Sequence, residues 1–303
     1  MADKTGTKEK TAKSAGNAQS APKKEPAKKL PKKPPEGKVN IYGLDGKVKN
    51  QVELPPVFSS EFRPDVIRRA VTAARANRRQ PYGPAPMAGM RHAVRQWGKG
   101  RGAARVMRLT QGRTAAQSPP NVGGRRAHPP RPEKKLGEKI NKKERLLAMR
   151  SALAAASDPE IVRRRGHRIS DGLTVPVVIT DDFERLFDKI AKDYEKQGER
   201  PAYTKETLKF LGLLGLGDEM RRARDGIHVR AGRGKMRGRR LKRPKSILFV
   251  VNDIENARRC VGNLPGIDIV QPSRLNVELL APGGDPGRLA VFTEGALRSL
   301  GGE

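Results

Sequence analysis

The chain has 303 residues, enough for one large domain or two small ones, and carries 64 Lys and Arg against 32 Asp and Glu. A formal charge of +32 and a pI near 10.9 make a compact state repel itself unless a dense array of phosphates neutralises it, so nucleic acid is the first partner implied and a membrane surface the second. The single cysteine, Cys260, excludes an internal disulfide framework and a cysteine-based zinc cluster, and no apolar run approaches the ~20 residues that span a bilayer.

With almost no large apolar side chain near the start, neither a secretory signal nor an anchor is expected, and the protein should be intracellular. Residues 1–38 are Lys, Ala, Pro and Ser with one Leu, too poor in apolar area to offset the entropy of ordering; they read as a disordered basic tail. Residues 39–79 look globular. The run "VNIYGLDGKVKNQVEL" alternates about a Gly-Leu-Asp-Gly turn as a β-hairpin does. Pro64 then opens a helix with Val66, Ile67, Ala70, Val71 and Ala74 on one stripe.

From 80 to 136 the composition turns to Gly, Pro, Arg and Gln without helical or strand period, over a length far beyond an ordinary loop. Such a segment cannot pack a core of its own, and an out-and-back path reaches at most ~90 Å from the body at ~3.3 Å per residue. The rest of the globular domain spans 137–303. Asn141 is placed to cap a helix with Leu146, Leu147, Met149 and Leu153 inward. "VPVVIT" reads as a buried strand, followed by the amphipathic helix "DDFERLFDKIAKDYEK" with Phe183, Leu186, Phe187 and Ile190 as its stripe, and by a second helix over 204–214. After a basic strip come the strand "SILFVV", a helix near 257–261, the strand "IDIV", a short helix near 276–280, the strand "RLAVFT" and a last helix "EGALRSL". Four apolar strands alternating with helices predict a three-layer α/β/α domain on a small, mainly parallel four-stranded sheet.

The basic strip is "AGRGKMRGRR". Gly232 and Gly234 match the first two positions of a dinucleotide fingerprint, but the third glycine is Gly238, one residue late, and a strand follows where a helix is required. No Gly-Lys pair is followed by the Ser or Thr of a phosphate loop. What fits is backbone that can approach sugar and phosphate at glycines, flanked by arginine forks. Arg230, Arg233, Lys235, Arg237, Arg239, Arg240, Lys242 and Arg243 are the candidate contacts there, with a flexible solvated loop as the plain alternative.

A second cluster, "IVRRRGHRI", contributes Arg163, Arg164, Arg165, His167 and Arg168. The long segment contributes Arg91, Arg95, Trp97, Lys99, Arg101, Arg105, Arg108, Arg113, Arg125, Arg126, His128 and Arg131. Arginine and aromatic faces stack on unpaired bases, and folded RNA suits an extended reader better than a groove-inserted helix. Trp97 serves equally well as a local hydrophobic anchor. The four histidines, His92, His128, His167 and His228, lie among Arg and Gly with no carboxylate or cysteine at ligand spacing, so no catalytic residue, metal or cofactor is expected. Asp181 and Asp182 follow a parallel strand, where such sheets place ligand groups, although helix capping accounts for them as well.

In chain order, "AHPPRPEKK", "RSALAAAS", "RRRGH", "VPVVITDDFE", "GRGKMRGRR", "RRLKRPKSILFV" and "APGGDPGRLAVFTE" resemble the family of universal large-subunit ribosomal protein four, in its archaeal and eukaryotic-like form, over about 39–303. The resemblance implies an α/β sandwich without enzymatic activity, a structural place in the large ribosomal subunit in the cytoplasm, and support of its assembly. Its partners would be large-subunit ribosomal RNA, neighbouring ribosomal proteins and the nascent polypeptide. It further implies that 80–136 is a loop running through RNA to the peptide exit tunnel, with Arg108, Thr110, Gln111, Arg113 and Gln117 as tunnel-lining candidates. Two readings remain beside it: a nucleotide-dependent α/β enzyme with a basic appendage, and a chromatin-like DNA compactor.

Overall fold

The computed structural model describes residues 37–197 and 202–301. The basic tail expected over 1–38 lies outside the described residues up to residue 36, and Lys38 already opens the first strand. Strands β1 (Lys38–Tyr42) and β2 (Val48–Glu53) form the expected antiparallel hairpin. Helix α1 (Pro64–Asn77) begins on Pro64, whose missing N–H has no partner to lose in a first turn. Its buried face is Ile67, Ala70, Val71, Ala73 and Ala76; Ala74, expected inward, is exposed. Two short strands, β3 (Val94–Arg95) and β4 (Arg108–Leu109), lie in the long segment. Then follow α2 (Lys142–Ser157), α3 (Pro159–Arg164), β5 (Val177–Ile179), α4 (Leu186–Gln197), α5 (Tyr203–Leu213) and α6 (Gly217–Asp225). A second hairpin, β6 (His228–Val229) with β7 (Leu241–Lys242), precedes β8 (Leu248–Val250), α7 (Ile254–Val261), β9 (Asp268–Val270), α8 (Val277–Leu280), β10 (Ala290–Thr293) and α9 (Glu294–Gly301).

The main sheet runs β2-β1-β5-β10-β8-β9, parallel at every junction except β1 with β2. The four apolar strands read from the sequence are all in it, but the hairpin joins at β1, giving six strands instead of four. A local alternation specifies the hairpin's own turn; the pairing of Ile41 with Val178 is set only when Val39 and Ile41 enter the shared core. One face of the sheet, with Val178, Leu248, Val250, Ala290 and Phe292, packs under α1, α2, α8 and α9. The other, with Val177, Ile179, Phe249, Val251 and Val291, packs under α3 to α7. Phe58 meets Phe292 edge-on at 5.7 Å in the first layer, and Phe183 stacks on Phe249 at 5.4 Å in the second.

Helix α2 corrects the sequence reading. Its inward face is Ala148, Ser151, Ala152, Leu153, Ala155 and Ala156, whereas Leu146 and Leu147 are exposed. The small side chains let α2 approach α1 and α8 closely, and that contact overrides the leucine stripe. Asn141 stands at the cap position without a side-chain cap bond. Asp181–Phe183 forms a separate single turn before α4, with Phe183 and Ile190 buried and Leu186 and Phe187 half-buried. Helix α6 was not foreseen; its GDEMRRARD sequence buries Met220, Ala223 and the carboxylate of Glu219.

Candidate RNA interface

The cluster at 161–169 divides between the interior and the surface. His167 is buried, and its Nδ1 lies 2.7 Å from Glu219 Oε1. Glu219 also accepts from Arg222 Nη2 at 2.7 Å and Nε at 2.8 Å, from Ser246 Oγ at 3.1 Å and from the Arg168 backbone at 3.0 Å. Burial alone would raise this carboxyl; the hydrogen bonds from Arg222 and His167 reverse that and hold it down at about 2. Burial pushes His167 below its ordinary range, against the opposing pull of the Glu219 hydrogen bond and charge, with the Arg222 and Arg165 charges adding to the depression. Arg165 donates to the carbonyls of Pro286 at 3.3 Å and Pro282 at 2.8 Å. Of the two residues, both read from the sequence as interface contacts, His167 is thus buried in the body and Arg165 is half-buried against it. Arg163, paired with Asp171 at 2.7 Å, and Arg164 and Arg168 remain exposed.

The strip 231–240 is the turn of the β6–β7 hairpin, an element the sequence reading of a glycine- and arginine-rich contact strip did not include. His228 pairs with Lys242 and Val229 with Leu241, and the ladder continues through Arg230 N to Arg240 O at 2.8 Å. Arg233–Met236 makes one tight turn, after which the Arg237 and Arg239 amides both donate to Gly234 O at 3.1 Å. Arg230 lies across the hairpin, Nε to Arg239 O at 3.1 Å, and acts as its internal strut. Arg233, Lys235, Arg237, Arg239, Arg240, Lys242 and Arg243 all face solvent, as does Met236 at the turn.

The long segment is a closed arm. At its root Asn77 Oδ1 accepts from Glu138 N at 3.0 Å. Its two legs then touch along their length: a Cβ on Gly83 would lie 2.7 Å from the Pro132 ring, and one on Gly89 2.6 Å from Arg125 Cα, so both need glycine for backbone approach. Near the end, Val94 pairs with Leu109 and Arg95 with Arg108, and Ala116 N donates to Met107 O at 2.8 Å. The expectation of no internal packing fails here in a small way, because Ala116 is buried. Trp97 is half-buried with the Arg108 and Arg101 guanidiniums 4.9 and 5.5 Å from its ring, which favours the anchor over the stacking platform. Arg91, Arg95, Lys99, Arg101, Arg105, Arg113, Arg125, Arg126, His128 and Arg131 are exposed, as are Thr110 and Gln111 in the turn that follows β4.

Charge separates these two extensions from the body. No Asp or Glu occurs between Asp65 and Glu133 or between Asp225 and Asp253. On the body, by contrast, many cations are paired across elements, as in Arg69–Glu144, Arg78–Glu278 and Lys245–Asp268. Among the described residues, no cation of the arm from 80 to 132 or of the hairpin from 228 to 243 is in an ion pair.

The sequence profile of the Ribosomal protein L4/L1 family matches residues 52–303. The chain belongs to this family. A large ribosomal subunit protein uL4 of Methanocaldococcus jannaschii is 45% identical over 263 residues, 87% of this chain and 98% of the relative. That of Archaeoglobus fulgidus is 45% identical over 264 residues with the same shares, and that of Methanococcoides burtonii is 46% identical over 263 residues, 87% of this chain and 97% of the relative. As an L4/L1 family member the chain is a structural, non-enzymatic constituent of the large ribosomal subunit. The strand ends where α/β enzymes hold ligands are filled here by the family member's own carboxylates. Glu184 accepts from Asn252 N and Thr293 Oγ1, both at 2.8 Å, and from Asp253 N at 3.2 Å, while Asp181 accepts from Gly295 N at 2.8 Å. No helix among the described residues is long and apolar enough to cross a membrane.

Proposed function

We propose that this chain holds large-subunit ribosomal RNA on two cationic extensions of one α/β body. The body comprises 39–79 and 137–303, and the arm 80–136 threads through RNA to the wall of the peptide exit tunnel. The turn carrying Thr110, Gln111 and Arg113 faces the nascent polypeptide. The observation that carries this reading is the arm and hairpin's run of cations with no carboxylate among them, set against a body whose cations and carboxylates are mixed and in part paired. Phosphates supply the missing counter-charge, which is how such a protein supports RNA assembly: it lets phosphate-rich strands approach one another. The phosphate contacts are the exposed cations, Arg91, Arg95, Lys99, Arg101, Arg105, Arg125, Arg126 and Arg131 on the arm, Arg164 and Arg168 on the body, and Arg233 to Arg243 on the hairpin.

Binding of the full chain to large-subunit RNA fragments, measured across a salt series, tests the reading. Each neutralised phosphate steepens the fall of log K with log salt by about 0.7 to 0.9, so ten contacts lose several decades between low and moderate salt. A shallow slope, or equal affinity for duplex DNA at matched salt, contradicts it.

A further inference from the structure

The end of the arm is held by its own side chains. Gln117 is the one non-glycine with positive φ among the described residues, at 63°, a conformation that crowds a side-chain-bearing residue against its own backbone. Its Nε2 reaches across to the other leg and donates to the carbonyls of Met90 at 3.2 Å and His92 at 3.1 Å. Beside it, Ala116 is the only buried residue described between 80 and 136. Arg108 uses one terminal nitrogen on Arg113 O at 2.6 Å and the other on Ala104 O at 3.3 Å, with its plane near the Trp97 ring and its Nε buried without a partner.

We infer that Arg108 and Gln117 are positioning residues that brace the end of the arm in one geometry, and that neither touches phosphate or a passing peptide. The inference rests on the RNA-threaded reading of the arm. A guanidinium bonded to two carbonyls and lying against an indole offers no open fork for bidentate phosphate binding. A glutamine whose amide ties two carbonyls of the opposite leg offsets the strain of its own backbone by fixing the distance between the legs. What the brace exposes is the turn between them, Thr110 to Thr114, whose side chains face solvent.

Trp97 is the only tryptophan, so its acrylamide quenching reads the brace inside the complex of the full chain with large-subunit RNA. Arg108→Ala should raise quenching about two-fold by removing the nearer guanidinium. Gln117→Gly, which tolerates the positive φ and deletes only the amide, should raise it too. Both should leave the salt slope unchanged, whereas Arg126→Ala, at an exposed and unpaired cation, should lower the slope by about 0.7 to 0.9 and leave quenching alone. A lower slope for Arg108→Ala with wild-type quenching makes Arg108 a phosphate contact and overturns the inference. Equal quenching across the bound set removes the brace alone, while failure of the wild-type chain to bind RNA removes the functional reading beneath it.

Discussion

His167 and Arg168 are neighbours in the sequence with opposite fates, and the difference lies in Glu219. A buried carboxylate needs donors on every lone pair, and Glu219 finds them in His167, Arg222, Ser246 and the Arg168 backbone. This network makes stability pH-dependent. His167 is held below its ordinary value of 6.5 in the folded chain, so below pH 6.5 the unfolded chain binds a proton the folded chain does not, and stability falls. Glu219, ordinarily near 4.5 and folded at about 2, adds stability that is complete above pH 4.5 and lost as pH falls toward 2. Thermal melts in acid should therefore lose midpoint in two stages, and His167→Gln should erase the upper one; a midpoint flat just below pH 6.5 in the wild type contradicts this. Arg288 is fully buried, donates to carbonyls of Ser246, Ile247, Gly266 and Leu279, and pairs with Asp268 at 2.7 Å. Arg288→Met should cost about 3 to 5 kcal/mol in denaturant titration, because it leaves several buried carbonyls without their donor and Asp268 with Lys245 as its only cation.

Among elements, the arm and the hairpin stand outside the cooperative core. With one buried residue along its described length, the arm lacks the apolar contacts that resist opening. Amides over 85–130 should exchange fast in the free chain and become protected on RNA; strong protection without RNA contradicts this. Replacing 85–130 by a short Gly/Ser link should leave the thermal transition nearly unchanged, since the Asn77 to Glu138 root and both core layers remain. On the hairpin, Arg237→Ala with Arg239→Ala should flatten the salt slope by about 1.5 and leave the melt unchanged, because both side chains are exposed and unpaired.

For the whole molecule, a three-layer body anchors charge it cannot neutralise itself. The two halves of the body meet in one sheet where Ile41 of β1 pairs with Val178 of β5, so the arm leaves from a closed core. Tagged chain should co-sediment with large subunits after a high-salt wash, since buried arm contacts exchange slowly even when surface charge is screened. Release at moderate salt would make it a peripheral ligand.

The amino-acid sequence determined much of this protein by itself. The charge, the arm, the failed glycine fingerprint and the four apolar strands are all local signals, of composition, period or spacing. Only the tertiary structure decided the rest, because those features depend on contacts between residues far apart in the chain. The hairpin's place in the sheet depends on β5, more than a hundred residues away. The exposure of Leu146 and Leu147 depends on how closely alanines let α2 approach α1. Arg165, His167 and Gln117 look in sequence like any other polar residue in a basic run. The carbonyls and carboxylates that turn them inward come into reach only once the chain has folded.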